Sequence, residues 1–177
     1  MRPGYEILPA RREHARQLPD VERAAATLFA PEDLSPEQRQ QITPEAEFEA
    51  AAREGRLWVA VTDQGSAVGF ALAGELDGAA HLLELDVHPD HGRRGLGAAL
   101  VRRVEAWARA HRLPALTLTT FRHLPWNAPF YQRLGFRILS AHEFTPGLAA
   151  VLVDEEERGF SRRVAMHLDL GEPSGDA

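Results

Sequence analysis

Asp86 to Leu100, DVHPDHGRRGLGAAL, is the stretch on which the reading of this chain turns. An apolar run ends at Pro89, a loop carrying Gly92, Arg93, Arg94 and Gly95 follows, and an amphipathic helix begins with Leu96, Gly97 and Ala98. The first N–H groups of a helix lack intrahelical partners, and the helix dipole adds partial positive charge at that end. Such an end binds anions, and two arginines supply full charges suited to phosphate oxygens. A tight turn that binds nothing is the bland alternative. Three glycines and two arginines at a helix start favour a pyrophosphate cradle. Spacing narrows the kind. A dinucleotide fingerprint needs glycines at its first, third and sixth positions, and counted from Gly95 the sixth is Leu100. An NTPase loop needs a lysine, and all 20 basic residues of this chain are arginine.

Composition bounds the rest. At 177 residues, 44% hydrophobic and 26% charged, the chain is expected to fold as one α/β domain over residues 1–170. Residues 171–177 read as a disordered polar tail. A net charge of −6 argues against nucleic acid and anionic membrane as partners. Without lysine there is no Schiff base; without cysteine there is no disulfide or thiolate nucleophile. The start of the chain lacks an apolar leader and no stretch reaches membrane-spanning length, so the expected location is the cytoplasm.

Outward from the cradle the elements alternate. Tyr5–Pro9 reads as an edge strand, Arg12–Phe29 as a helix interrupted by Pro19, and 44–54 as a second helix. Leu57–Thr62 and Ala67–Gly74 form a hairpin, Asp77-Gly78 makes the next turn, and His81–His88 is a third strand. Gly95–Ala110 is a helix with Leu96, Leu100, Val104 and Trp107 on one stripe. Leu116–Phe121 is a strand, followed by a helix capped by Asn127 and closed by Gly135. A short strand at Arg137–Ser140, a helix at Gly147–Glu157 and a strand at Arg163–Leu170 complete the order. Trp58 and Trp107 read as core residues.

Two motifs in that order resemble the GNAT superfamily of acyl-CoA-dependent N-acetyltransferases. Val87-His88-Pro89 followed by Gly95-Leu96-Gly97 is similar to its Gln/Arg-x-x-Gly-x-Gly/Ala signature, with Gly92 standing where the family usually has Gln or Arg. Pro129-Phe130-Tyr131-Gln132-Arg133-Leu134-Gly135-Phe136 resembles its Tyr-x-x-x-Gly-Phe segment. The resemblance implies a central mixed, mostly antiparallel sheet of about seven strands with helices on both faces. It also implies acetyl-CoA as co-substrate, with its pyrophosphate on the backbone amides of Gly92, Arg93, Arg94, Gly95, Leu96, Gly97 and Ala98. The pantetheine arm would lie between strands at Leu85–Val87 and Leu116–Thr119. Backbone N–H groups of Leu85, Asp86 and Val87 would then polarise the thioester carbonyl. A homodimer is compatible with the family's habit.

Acetyl transfer to an amine makes its own demands. An alkylamine with a pKa near about 10.4 is free base in only about one molecule in 2,500 at neutral pH, so a base is wanted. The leaving thiolate wants an acid, and Tyr131 stands where the family's acid stands. His81 suits the base, because an imidazole titrates near neutrality. Ala80-His81-Leu82 also resembles the arylalkylamine acetyltransferase branch, although that branch has a second histidine where Leu83 stands. Glu84 is the rival, as base or as holder of the substrate ammonium. Asp86 reads as structural near the strand end. Thr117, Thr119 and Thr120 are candidate ligand contacts or simply good strand formers. Asn127 is expected to cap its helix and also touch CoA. Asp86, His88, Asp90 and His91 lack a zinc spacing, and no metal is expected. The alternative in a different class is a non-catalytic acyl-CoA-binding sensor.

Overall fold

The computed structural model describes residues 4–171. Beyond Gly171, the tail expected to be disordered lies outside the described residues. Seven strands form one mixed, mostly antiparallel sheet: β1 (Tyr5–Pro9), β2 (Leu57–Thr62), β3 (Ala67–Leu76), β4 (Ala79–Val87), β5 (Ala115–Phe121), β6 (Arg137–Ile138) and β7 (Arg163–Asp169). Their order is β1-β2-β3-β4-β5-β7-β6, so β1 is an edge as its length and closing proline suggest. The helices are α1 (Arg12–Ala15), α2 (Leu18–Ala26), α3 (Glu45–Arg53), α4 (Leu96–Ala110), α5 (Ala128–Arg133) and α6 (Pro146–Glu157). Among the described residues, no helix is long and apolar enough to cross a membrane.

Two compact units are distinguished, Met1–Ala73 with Leu83–Val104, and Gly74–Leu82 with Glu105–Ala177. In the first, β1 and β3 flank β2 in antiparallel register, with Ile7 opposite Ala60 and Val59 opposite Phe70. The core gathers Leu18, Val21, Phe48, Leu57, Val59 and Phe70, and the Phe48 and Phe70 rings meet edge to face at 5.0 Å. The single early helix expected across Pro19 is two. α1 ends at Ala15, and Pro19 stands in the first turn of α2, where its missing N–H costs nothing.

In the second unit, β5 pairs along its whole length with β7, from Ala115 opposite Asp169 to Phe121 opposite Arg163. The β4–β5 ladder is parallel and joins only Ala80 to Leu116 and His81 to Thr117. Asp77 and Gly78, at φ 50° and 77°, make the two-residue turn before β4, where positive φ matches strand twist. The Asp77 carboxylate accepts the Gly147 N–H at 2.7 Å at the start of α6. The Thr145 side chain foremost, with the Gly147 and Leu148 amides, holds the Asp77 pKa below its ordinary value. A smaller core forms from Leu139, Leu148 and Ala165 with Leu76, Phe144 and Leu152.

The buried row on α4 is Leu96, Leu100, Val104 and Ala108. Trp107, expected on that stripe, lies one position off the i, i+4 row. It is half-buried, with its ring 4.9 Å from that of His111. Trp58 is buried.

Candidate active site

The cradle begins with one 3-10 turn, Pro89–His91. The His91 N–H donates to His88 O at 2.9 Å and the Gly92 N–H to Pro89 O at 3.0 Å, so the Gly92 amide is spent within the loop. Arg93 and Gly95 take φ of 56° and 82° and swing the chain into α4. The helix ladder opens with Ala99 N–H to Gly95 O at 3.0 Å. The amides of Leu96, Gly97 and Ala98 precede that bond and form the anion-attracting end of a 15-residue helix. Arg94 donates to Asp90 O at 3.1 Å, with its guanidinium 5.7 Å from the centre of the Tyr5 ring. The Tyr5 hydroxyl lies 2.9 Å from His91 Nδ1, which ties the loop to β1. Burial, helped by the charges of His88 and Arg94, pushes the His91 pKa down. Among the described residues, no group of three or more His, Asp or Glu side chains is disposed to hold a metal ion.

The end of β4 that leads into the cradle is crowded by carboxylates. Burial foremost, then the charges of Glu84 and Glu22, push the Asp86 pKa well above its ordinary value. Glu22 is itself raised by burial, although it accepts Thr43 N–H at 3.0 Å and Thr43 Oγ1 at 3.2 Å. Gly69 lets β3 approach here. A Cβ at that position would stand 2.9 Å from Asp86 O and 3.2 Å from Val87 Cγ2. The glycine inside an otherwise apolar strand was its only sequence signal.

His81 sits at the other end of β4 and is only 4% exposed. Its Nδ1 lies 2.8 Å from Thr117 Oγ1, which in turn donates to Ala80 O at 3.1 Å. Burial pushes the His81 pKa below its ordinary value, against a smaller opposing pull from Glu155. Strand alternation predicts opposite faces for His81 and Leu82, yet Ala80, His81 and Leu82 are all buried, while Leu83 is 51% exposed.

Tyr131 is buried on α5, its ring 5.0 Å from Phe130 and 5.6 Å from Phe136. Gly135 at φ 99° ends this segment, and a Cβ there would meet Leu168 Cδ1 at 3.3 Å. Asn127 occupies the N-cap position of α5, but its side chain makes no capping bond. Instead Nδ2 donates to Thr120 Oγ1 at 2.8 Å. That choice leaves Oδ1 buried and, among the described residues, without a hydrogen-bond partner. Such an atom is costly unless something donates to it.

All three threonines of β5 are therefore engaged. Thr117 holds His81, Thr120 holds Asn127, and Thr119 donates to Glu155 Oε1 at 2.6 Å. Arg163 clasps the same carboxylate through Nε at 2.9 Å and Nη2 at 2.6 Å, with its guanidinium 4.7 Å from the Phe121 ring centre. Neither Glu155 nor Arg163 carried any local sequence signal.

Comparison with known proteins accords with this architecture. The model of the acetyltransferase (GNAT) family matches residues 20–136. The peptidyl-lysine N-acetyltransferase YjaB of Salmonella typhimurium is 35% identical over 91 residues, covering 51% of this chain and 56% of that protein. The N-acetylaspartate synthetase of Rattus norvegicus is 36% identical over 102 residues, covering 55% of this chain and 34% of that protein. The matches thus span about half the length, or less, of these curated relatives. A phosphinothricin acetyltransferase of the GNAT superfamily from Sinorhizobium meliloti, solved in complex with AcCoA, superposes with a TM-score of 0.70. Its identity is 17%, over 98% of this chain and 92% of that one. At that identity the likeness speaks for the fold. With the family match running from α2 through the cradle and α5 to Phe136, on the same fold, the chain belongs to the acetyltransferase (GNAT) family.

Proposed function

We propose that the chain transfers an acetyl group from acetyl-CoA to a primary amine by direct attack. The observation that carries this reading is the opening of α4: the amides of Leu96, Gly97 and Ala98 precede the first helix bond, beside Arg93 and Arg94. This end suits the donor's pyrophosphate. The orphaned Asn127 Oδ1 supports the same donor, because an acceptor buried without a partner suits an amide N–H of the pantetheine arm. In this scheme an extended arm runs beside Leu85, Asp86 and Val87, whose N–H groups would polarise the thioester carbonyl.

His81 is the base in this scheme and Tyr131 the acid. His81 takes the proton of the ammonium and passes it to solvent. The freed nitrogen bonds to the carbonyl carbon, and the C–S bond breaks as Tyr131 protonates the sulfur. The second nitrogen proton restores the phenol. One amide, one thiol and one proton result. Glu84, with Asp86 and Glu22, is assigned to attracting the ammonium, since the charges of Glu84 and Glu22 add to burial in raising the Asp86 pKa and a cation would relieve them.

The test is a panel of primary amines (putrescine, spermidine, tyramine and a dipeptide) incubated with acetyl-CoA and read by mass spectrometry. Enzyme-dependent amide with at least one amine is expected. CoA binding without amide from any of them would favour the sensor reading instead.

A further inference from the structure

His81 has two ring nitrogens, and only the unprotonated one can take a proton. Its Nδ1 faces Thr117 Oγ1 at 2.8 Å on the adjacent parallel strand, the partner that the β4–β5 register assigns to it. A threonine hydroxyl has a single proton, and its oxygen also lies 3.1 Å from Ala80 O, an atom that can only accept and so assigns that proton to itself. Toward His81 the hydroxyl is therefore left with lone pairs alone. With the hydroxyl proton directed at Ala80 O, the contact is satisfied when Nδ1 carries the hydrogen and donates.

We propose that Thr117 is a positioning residue that locks His81 in its Nδ1–H tautomer and so presents Nε2 as the base. The inference deepens the function proposed above and rests on His81 being that base. Its own content, the position of a proton on a ring, stands or falls separately. Three features of the surroundings support it. Thr117 and His81 are both almost fully buried, so water competes little for Nδ1. Burial disfavours the imidazolium, which would carry hydrogen on both nitrogens. The charged neighbours do not supply a rival partner for Nδ1. Glu155 of α6 spends its carboxylate on Thr119 and Arg163. His167 of β7 stands opposite Thr117, with Arg137 of β6 beyond it, and their register places β5 between them and His81.

The arrangement also explains the type of residue needed at position 117. Serine keeps the relay; valine keeps the shape and removes it.

Nitrogen-15 NMR of the full chain reads the tautomer with no acceptor amine present. At a pH of about 8, above the ordinary histidine range, the wild type should show His81 Nδ1 protonated and Nε2 bare. Thr117→Ser should retain that pattern, while Thr117→Val should reverse or average it. A wild-type ring protonated on Nε2 overturns the inference even if the valine variant fails to fold, and so does a folded valine variant that keeps the wild-type pattern. Acetylation assays on His81→Gln test the base role separately. A locked tautomer with unchanged turnover in His81→Gln would sink the base and leave the lock standing. In an active system, Thr117→Val should lower kcat about tenfold or more, with Thr117→Ser restoring it.

Discussion

At the scale of single residues, the candidate chemistry depends on groups whose environments differ sharply. Tyr131 is buried among aromatic rings, where a phenol has a fixed direction and little access to bulk water. Removing its hydroxyl leaves the packing intact, so Tyr131→Phe should lower kcat about a hundredfold or more while CoA affinity holds. Equal activity of the variant and the wild type across the pH–rate profile would remove Tyr131 as the acid. Asn127 shows how a polar residue can be diverted from its local role. The N-cap position invites its oxygen to bind the helix amides, yet the side chain turns to Thr120 and strands Oδ1. Sequence spacing identifies the cap position; it contains no information about a threonine on another strand that competes for the same side chain.

At the scale of elements, the strands, the Asp77-Gly78 turn and the helix after the cradle follow from alternation, turn chemistry and 3.6-residue spacing, and their order is legible in the sequence alone. The couplings across the sheet were not. His81 and Thr117 are 36 positions apart, as are Thr119 and Glu155; the β4–β5 pairing brings the first pair together and the packing of α6 the second. Gly69 lies between these cases: a glycine in an apolar strand announces a close approach without saying to what. The answer is the backbone of Asp86, 2.9 Å from where a Cβ would stand. Backbone cannot swing away as a side-chain tip can. Gly69→Ala should therefore cost about 1–3 kcal/mol, the range for overpacking, and lower the urea midpoint with little change in slope. An unshifted midpoint would mean that β3 and β4 separate freely.

At the scale of the whole molecule, a carboxylate buried near like charges must be carried through folding. Asp86 has its pKa raised by burial and by Glu84 and Glu22, so the folded chain holds this proton to higher pH than the unfolded chain does. Stability is then lost as pH rises from the ordinary carboxylate range through the folded pKa. Asp86→Asn removes that loss. The variant should melt higher than the wild type at neutral pH, by an amount that shrinks as pH falls through and below about 4, until the wild-type carboxyl is protonated in both states. A neutral-pH melting point at or below that of the wild type would show that the carboxylate is compensated in the folded chain. The donor site admits the most direct test, because it needs no knowledge of the amine. Calorimetric titration of the purified chain with coenzyme A, and in parallel with pantetheine lacking the pyrophosphate, isolates what the opening of α4 contributes. Stoichiometric binding of coenzyme A, with pantetheine weaker by about a hundredfold or more, is the predicted result. Equal affinity for the two, or no binding of coenzyme A, would contradict the assignment of Leu96, Gly97 and Ala98 as a pyrophosphate cradle.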